Sequence, residues 1–246
     1  MQTTPAATEV APARPSSTVL LLRDGDQRPE IFMVKRHEDS SFGSAYAFPG
    51  GVLERSDAHV HHLCSGRSTV EANKLLSVDN AGLDYFSAAA RELFEETGVL
   101  LGDTGLSARE LIAARAALNN GSLGWDRFAT SSQLRIDCGQ MVYFSFWITP
   151  KQLARRYATR FFVALLPAGQ TAVHDDGELT DSCWISARDV LQASRARTMH
   201  VHYPTRKTLE SIAAFTSAVD ICAWARSREA AGVTCVALDD VPESER

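Results

Sequence analysis

The run Arg91-Glu92-Leu93-Phe94-Glu95-Glu96-Thr97-Gly98-Val99 constrains this 246-residue chain more than any other stretch. Read as a helix, it sets Glu92, Glu95 and Glu96 at i, i+3 and i+4, so all three emerge on one face. Like charges at that spacing repel, and the arrangement asks for a cation between them. A hard divalent ion that takes carboxylates, water and phosphate oxygens together meets the demand, Mg²⁺ or else Mn²⁺. Gly98 suits the helix C-cap. Upstream, Phe48-Pro49-Gly50-Gly51 reads as a tight turn whose backbone can approach such an ion closely. A Glu-Leu-Phe-Glu-Glu run occurs on many solvated helices. Its place after Arg91 and before Thr-Gly-Val sets this one apart.

A chain of this length is ample for a buried core, and nothing in its composition forces a second domain. The expected organisation is a disordered tail over 1–16, rich in Ala, Pro and Thr, one domain over 17–230, and a C-terminal tail over 231–246. A net charge of −5 argues against a nucleic-acid-binding surface. The five cysteines, Cys64, Cys138, Cys183, Cys222 and Cys235, are scattered and form no paired motif. They point to a reducing cytoplasm. The longest early apolar run, Val19 to Leu22, is far too short to span a membrane.

The periodicities alternate. Ser17 to Arg23 and Glu30 to Arg36 read as a hairpin around Asp-Gly-Asp. A helix is expected over Asp84 to Thr97. Ser107 with Glu110 three residues on predicts a capped helix to Leu118, and Trp125 to Arg135 suggests another. Gln140 to Thr149 and Arg160 to Leu166 suit buried strands. Ser182 to Ile185 predicts a short strand and Ala187 to Ala196 a helix. Pro204 opens a long helix to about Arg226, which either packs on its own core or offers a surface for a homodimer. Strands interleaved with helices imply a mixed sheet covered on both faces.

Phe48-Pro49-Gly50-Gly51 followed by Arg91-Glu92-Leu93-Phe94-Glu95-Glu96-Thr97-Gly98 resembles the signature of Nudix hydrolases, enzymes that cut a diphosphate linked to another group. The resemblance implies an α/β/α sandwich with a mixed sheet. One departure is large. The usual pattern has a Glu six residues after the glycine and eight before the Arg. Counting back from Arg91 finds Leu83 with Asp84 beside it, and counting forward from Gly51 finds Asp57. Some two dozen residues, about 57–82, are therefore inserted inside the box, with Asp84 available for a helix-capping role. Trp147-Ile148-Thr149-Pro150 and Arg155-Arg156-Tyr157-Ala158-Thr159-Arg160-Phe161-Phe162 resemble the peroxisomal coenzyme A diphosphatase branch and its bacterial relatives. Ala158 stands where that branch carries Asp.

On these residues the expected chemistry is hydrolysis of a diphosphate bond in a small-molecule nucleoside diphosphate derivative. Coenzyme A or an acyl-coenzyme A is the first reading and ADP-ribose or a dinucleotide such as NADH the second. A non-catalytic regulator that borrows the fold is the third. Glu92, Glu95 and Glu96 are the expected metal ligands, and the resemblance adds the Gly50 carbonyl. Arg91 lies four residues before Glu95 and either orients it or forms a structural ion pair. Glu178, six residues before Trp184, is the distant candidate for activating water. Lys35, Arg36, Arg155, Arg156 and Arg160 are candidate cations for substrate phosphates, each also readable as surface charge. His59, His61, His62 and Cys64 in the insertion lack the paired spacing of a structural zinc site. The insertion is expected to be a polar loop, or a cap that selects substrate.

Overall fold

A computed structural model describes residues 10–36, 44–175 and 179–243. The chain runs through β1 (Ala13–Asp24), β2 (Pro29–Arg36), β3 (Tyr46–Ala47) and β4 (Gly50–Val52), then a 3₁₀ segment (Arg55–Leu63) and β5 (Cys64–Ser65). Helices α1 (Thr69–Leu76) and α2 (Gly82–Thr97) follow, then β6 (Gly102–Asp103), α3 (Ala108–Asn119), α4 (Trp125–Ser131) and β7 (Arg135–Asp137). Strands β8 (Val142–Ile148), β9 (Arg156–Leu165) and β10 (Leu179–Ser186) lead to α5 (Ala187–Arg195), α6 (Tyr203–Ile212), α7 (Ala218–Ala231) and β11 (Cys235–Ala237).

The main sheet has the order β10-β2-β1-β9-β8-β11, with β3 beside β2 and β4 beside β1. It is mixed: β1 runs parallel to β9 and antiparallel to β2 and β4. Side chains alternate across its two faces. Val19 and Leu21 of β1 turn to one side with Phe162, where Phe86, Ala89, Leu93 and Phe94 of α2 cover them. Leu20 and Leu22 turn to the other with Phe161 and Val163, under Val190 of α5, Leu209 and Ile212 of α6, and Ile221 of α7. Full burial of each such side chain contributes roughly 1.5–3 kcal/mol. The result is the expected α/β/α sandwich with an insertion. Among the described residues no helix is long and apolar enough to cross a membrane.

Several expected boundaries move. β1 starts at Ala13, inside the expected tail, because residues 13–16 find ladder partners on β9. The C-terminal segment is likewise not wholly a tail. β11 pairs with β8, and Leu238 is buried. The long helix expected from Pro204 is two, since Ser217 caps a new start by accepting from the Asp220 N–H. Both bury apolar faces on the sheet. The capping box of Ser107 and Glu110 forms as expected.

The insertion is structured. Ser68 and Glu71 cap α1, and β5 pairs with β7 in a small second sheet. Arg67 reaches Glu229 of α7 at 2.7 Å, while the other oxygen of Glu229 accepts the Tyr143 N–H of β8 at 2.8 Å.

Candidate active site

Helix α2 carries the acidic face. Its far side is buried in the core, which fixes its rotation and leaves Glu92 and Glu95 half-buried at the rim and Glu96 buried. Gly98 adopts φ 75° and its N–H donates to the Phe94 carbonyl at 2.8 Å, ending the helix as the sequence predicts.

The glycine turn meets this face because β4 pairs with β1, Gly50 opposite Thr18. The Thr18 hydroxyl donates to the Pro49 carbonyl at 2.7 Å, fixing the turn. Gly50 has φ +153°, and a Cβ there would lie 2.3 Å from the Ser17 carbonyl oxygen. At Gly51 a Cβ would meet Glu92 Oε1 at 2.3 Å, so a larger residue there would push that carboxylate aside. The Gly50 N–H donates to Glu96 Oε2 at 2.9 Å.

Arg91 organises the rest. It is 2% exposed, and its Nη1 reaches Glu92 Oε1 at 2.8 Å and Glu95 Oε2 at 3.3 Å. Its Nη2 donates to the Val52 carbonyl at 2.8 Å. Asp57, fully buried, accepts from Nε and Nη2, each at 3.1 Å. The same carboxylate accepts the Glu54 N–H at 2.8 Å and the Ser87 hydroxyl at 3.1 Å. Ser87 in turn accepts the indole N–H of Trp125 at 3.0 Å. A relay thus runs from α4 through Ser87 and Asp57 to Arg91 and its carboxylates.

Asp57 therefore holds the place expected of the missing box Glu, and the insertion follows it. Asp84 has another job, pairing with His61 at 2.5 Å in the first turn of α2. The count of six from Gly51 was the only signal for Asp57. Nothing local marked Ser87 or Trp125, which reach the site through tertiary packing alone.

The electrostatics follow from burial. Burial pushes the Glu95 carboxyl up to about 7, with Arg91 pulling it down and Glu92 pushing it further up. Burial likewise raises Asp57, against the pull of Arg91. Burial opposes the charge on Arg91, but Glu92, Asp57 and Glu95 outweigh it and hold its pKa above the ordinary value.

Among the described residues no three His, Cys, Asp or Glu side chains converge as a ready-made ion cage. Glu92 and Glu95 turn to Arg91, and Glu96 to the Gly50 N–H. The donor chemistry nonetheless fits a hard divalent ion: oxygen ligands on one helix face, a carboxyl pushed upward by burial, and a glycine backbone in contact. The histidines of the insertion hold no such set. His59 pairs with Asp126 at 3.1 Å, as His61 does with Asp84.

Among the described residues, the expected phosphate-binding cations do not come together. Arg160 is 5% exposed and lies between the rings of Tyr85 and Phe146, 4.1 and 4.4 Å from their centroids. Its Nη2 donates to the Leu76 carbonyl at 2.9 Å. Arg156 ties loop carbonyls together, those of Thr149, Pro150 and Ala11. Both are structural. Arg155 is exposed in the turn before β9. Lys35 lies at the end of β2 with its ammonium 5.8 Å over the Tyr46 ring, and Arg36 ends that strand. Glu178 lies outside the described residues.

A Nudix hydrolase from Alicyclobacillus acidocaldarius has a similar structure, with TM-score 0.70 and 24% identity over 87% of this chain and 97% of that one. A Caenorhabditis elegans protein provisionally named nudix hydrolase 7 is 23% identical over 171 residues, 68% of this chain. The chain spans about half the length of that curated relative, 50%. No family model matches the chain. In fold, the chain is similar to Nudix hydrolases.

Proposed function

We propose that the chain hydrolyses the diphosphate bond of a nucleoside diphosphate derivative with a divalent metal. The observation that carries this reading is the buried Arg91, pinned by Asp57 and holding Glu92 and Glu95 beside Glu96 and the Gly50-Gly51 turn. A pure binder need not keep a carboxylate cluster of this kind, whose crowding around one arginine opposes folding.

Glu92, Glu95 and Glu96 would hold Mg²⁺ or Mn²⁺, with the Gly50 carbonyl as a further ligand, and the ion would neutralise phosphoryl oxygens and lower the pKa of water. The chain's own contribution is positional. Arg91 keeps Glu92 and Glu95 aimed at the turn, Asp57 keeps Arg91 in plane through a two-point contact, and the glycines admit substrate oxygens close to the backbone. Glu95, the half-buried carboxylate beside Arg91, is the candidate base on this face. Glu178 is retained as the alternative base on its sequence position.

The interrupted box and the Trp147 to Phe162 resemblance support coenzyme A or an acyl-coenzyme A as substrate, giving 3′,5′-ADP and a 4′-phosphopantetheine. The internal use of Arg156 and Arg160 favours a second reading, ADP-ribose or NADH, which needs no clamp for a 3′-phosphate. The test compares wild type with Glu95→Gln against coenzyme A, acetyl-coenzyme A, ADP-ribose and NADH with Mg²⁺, products identified by mass. Glu95-dependent 3′,5′-ADP establishes the first reading and activity on ADP-ribose or NADH alone the second. Silence on all four overturns both.

A further inference from the structure

The helix-covered face opposite α2 changes character along its length. On β1 it presents Leu20 and Leu22, then Thr18 and Ser16. On β9 it presents Val163 and Phe161, then Thr159. Apolar packing thus gives way to hydroxyls at the level of the glycine turn, since Thr18 faces Gly50 and Ser16 faces Val52 in the ladder. The Ser16 and Thr159 hydroxyls lie 3.0 Å apart.

Aromatic groups stand around these hydroxyls. Trp147 of β8 is the ladder neighbour of Thr159, which is the neighbour of Ser16. It stands about 14 Å from Val52, three strand spacings. Its ring meets Tyr203 edge to face, 5.8 Å between centroids. Arg206 lies 5.0 Å over the Tyr203 ring while also pairing with Glu210. The segment bearing Tyr203 is anchored to the box: the Tyr46 N–H donates to the His200 carbonyl at 2.8 Å, and Tyr46 precedes Phe-Pro-Gly-Gly. The Trp147 Nε1 is buried, and no acceptor for it exists among the described residues. A buried donor left this way opposes folding unless something completes it.

We propose that Ser16, Thr159, Trp147 and Tyr203 form the subsite for the nucleoside of the substrate, and so determine specificity. This rests on the reading of the chain as a hydrolase of nucleoside diphosphate derivatives. A planar base matches the aromatic wall, ribose hydroxyls match the hydroxyl pair, and a base or ribose oxygen gives the indole N–H its acceptor. An acyl chain would instead call for an apolar floor, which the face has only further along, where helices already cover it. Arg160 lies on the opposite face of the sheet, between Tyr85 and Phe146, and a single strand spacing separates Ser16 from the turn.

The test uses the Glu95→Gln protein without metal and two probes, ADP and 4′-phosphopantetheine, with binding followed by calorimetry. ADP binding weakens about tenfold in Trp147→Leu and in the near-isosteric Thr159→Val, and 4′-phosphopantetheine binding is unchanged. Circular dichroism and melting temperature confirm that both variants fold. Unchanged ADP affinity in Thr159→Val and Trp147→Leu, or no ADP binding to the parent, overturns the subsite. The two proposals fail separately. ADP binding that depends on Trp147 in a protein inert toward every diphosphate keeps the subsite and removes the reaction. Turnover with KM unmoved by either substitution does the reverse.

Discussion

Arg91 and Arg160 are both nearly buried, at 2% and 5% exposure, and the sequence presents both as candidates for chemistry. Their surroundings differ completely. Arg91 is enclosed by Asp57, Glu92, Glu95 and the Val52 carbonyl. Arg160 is enclosed by two aromatic faces and the Leu76 carbonyl, and its Nε has no partner among the described residues. A buried cation among carboxylates fixes the directions of several groups at once. One between rings fills space and lends a diffuse attraction. Burial of charge therefore marks a working site only when the counter-charges around it are themselves turned toward an open face.

Removing each arginine tests that contrast. Arg91→Met strands the buried Asp57 carboxylate, so stability falls by about 3–5 kcal/mol in denaturant titrations. Turnover in the surviving folded fraction drops about a hundredfold or more because Glu92 and Glu95 lose their aim. A variant that melts and turns over like wild type would break the comparison.

The next effect is electrostatic. The folded protein holds the Glu95 proton up to about 7, against an ordinary 4.5. The folded state therefore binds more protons than the unfolded one across that window. Metal-free stability is highest below the lower value and declines as pH rises through the upper one. The loss is at most about 3 kcal/mol, and added Mg²⁺ reverses it above the window. Melts in a chelator across this range, flat with pH, would remove the burial argument for Glu95.

Ser87→Ala sharpens the picture by cutting the relay at its midpoint. It leaves the Trp125 indole N–H without an acceptor and Asp57 short of a donor, at a cost of about 1–3 kcal/mol. In an Asp57→Asn background the same substitution adds little to the loss of turnover, because the two residues act through one arginine. Additive losses would show Ser87 to be independent of Arg91. The smallest effect is expected of Arg160→Met, which strands no carboxylate: stability moves by about 1 kcal/mol or less and turnover stays near wild type.

What the sequence revealed and concealed follows the same division. The box helix was legible because its pattern is local: the carboxylates, the helix period and Gly98 lie within one stretch. Asp57 was half legible, visible as a count from Gly51 but without any sign that it would be buried under Arg91. Ser87 and Trp125 were illegible, since only the approach of α4 gives them a shared hydrogen bond. The internal contacts of Arg156 and Arg160 were not legible because a charged letter does not say whether it faces water, carbonyls or rings. The break between α6 and α7 was missed because residues 213–217 contain neither glycine nor proline, although Ser217 with Asp220 is a readable cap.

Glu229 grips both Arg67 of the insertion and the backbone of β8. During synthesis, a ribosome releases the insertion long before it releases α7, so this three-way staple cannot close until α7 has emerged. Until then, the segment that follows Asp57 lacks one of its anchors. A chain cut short before Glu229 would keep every residue of α2 and still lack the contact that holds the insertion beside it, so a truncation there damages the box from a distant part of the sequence.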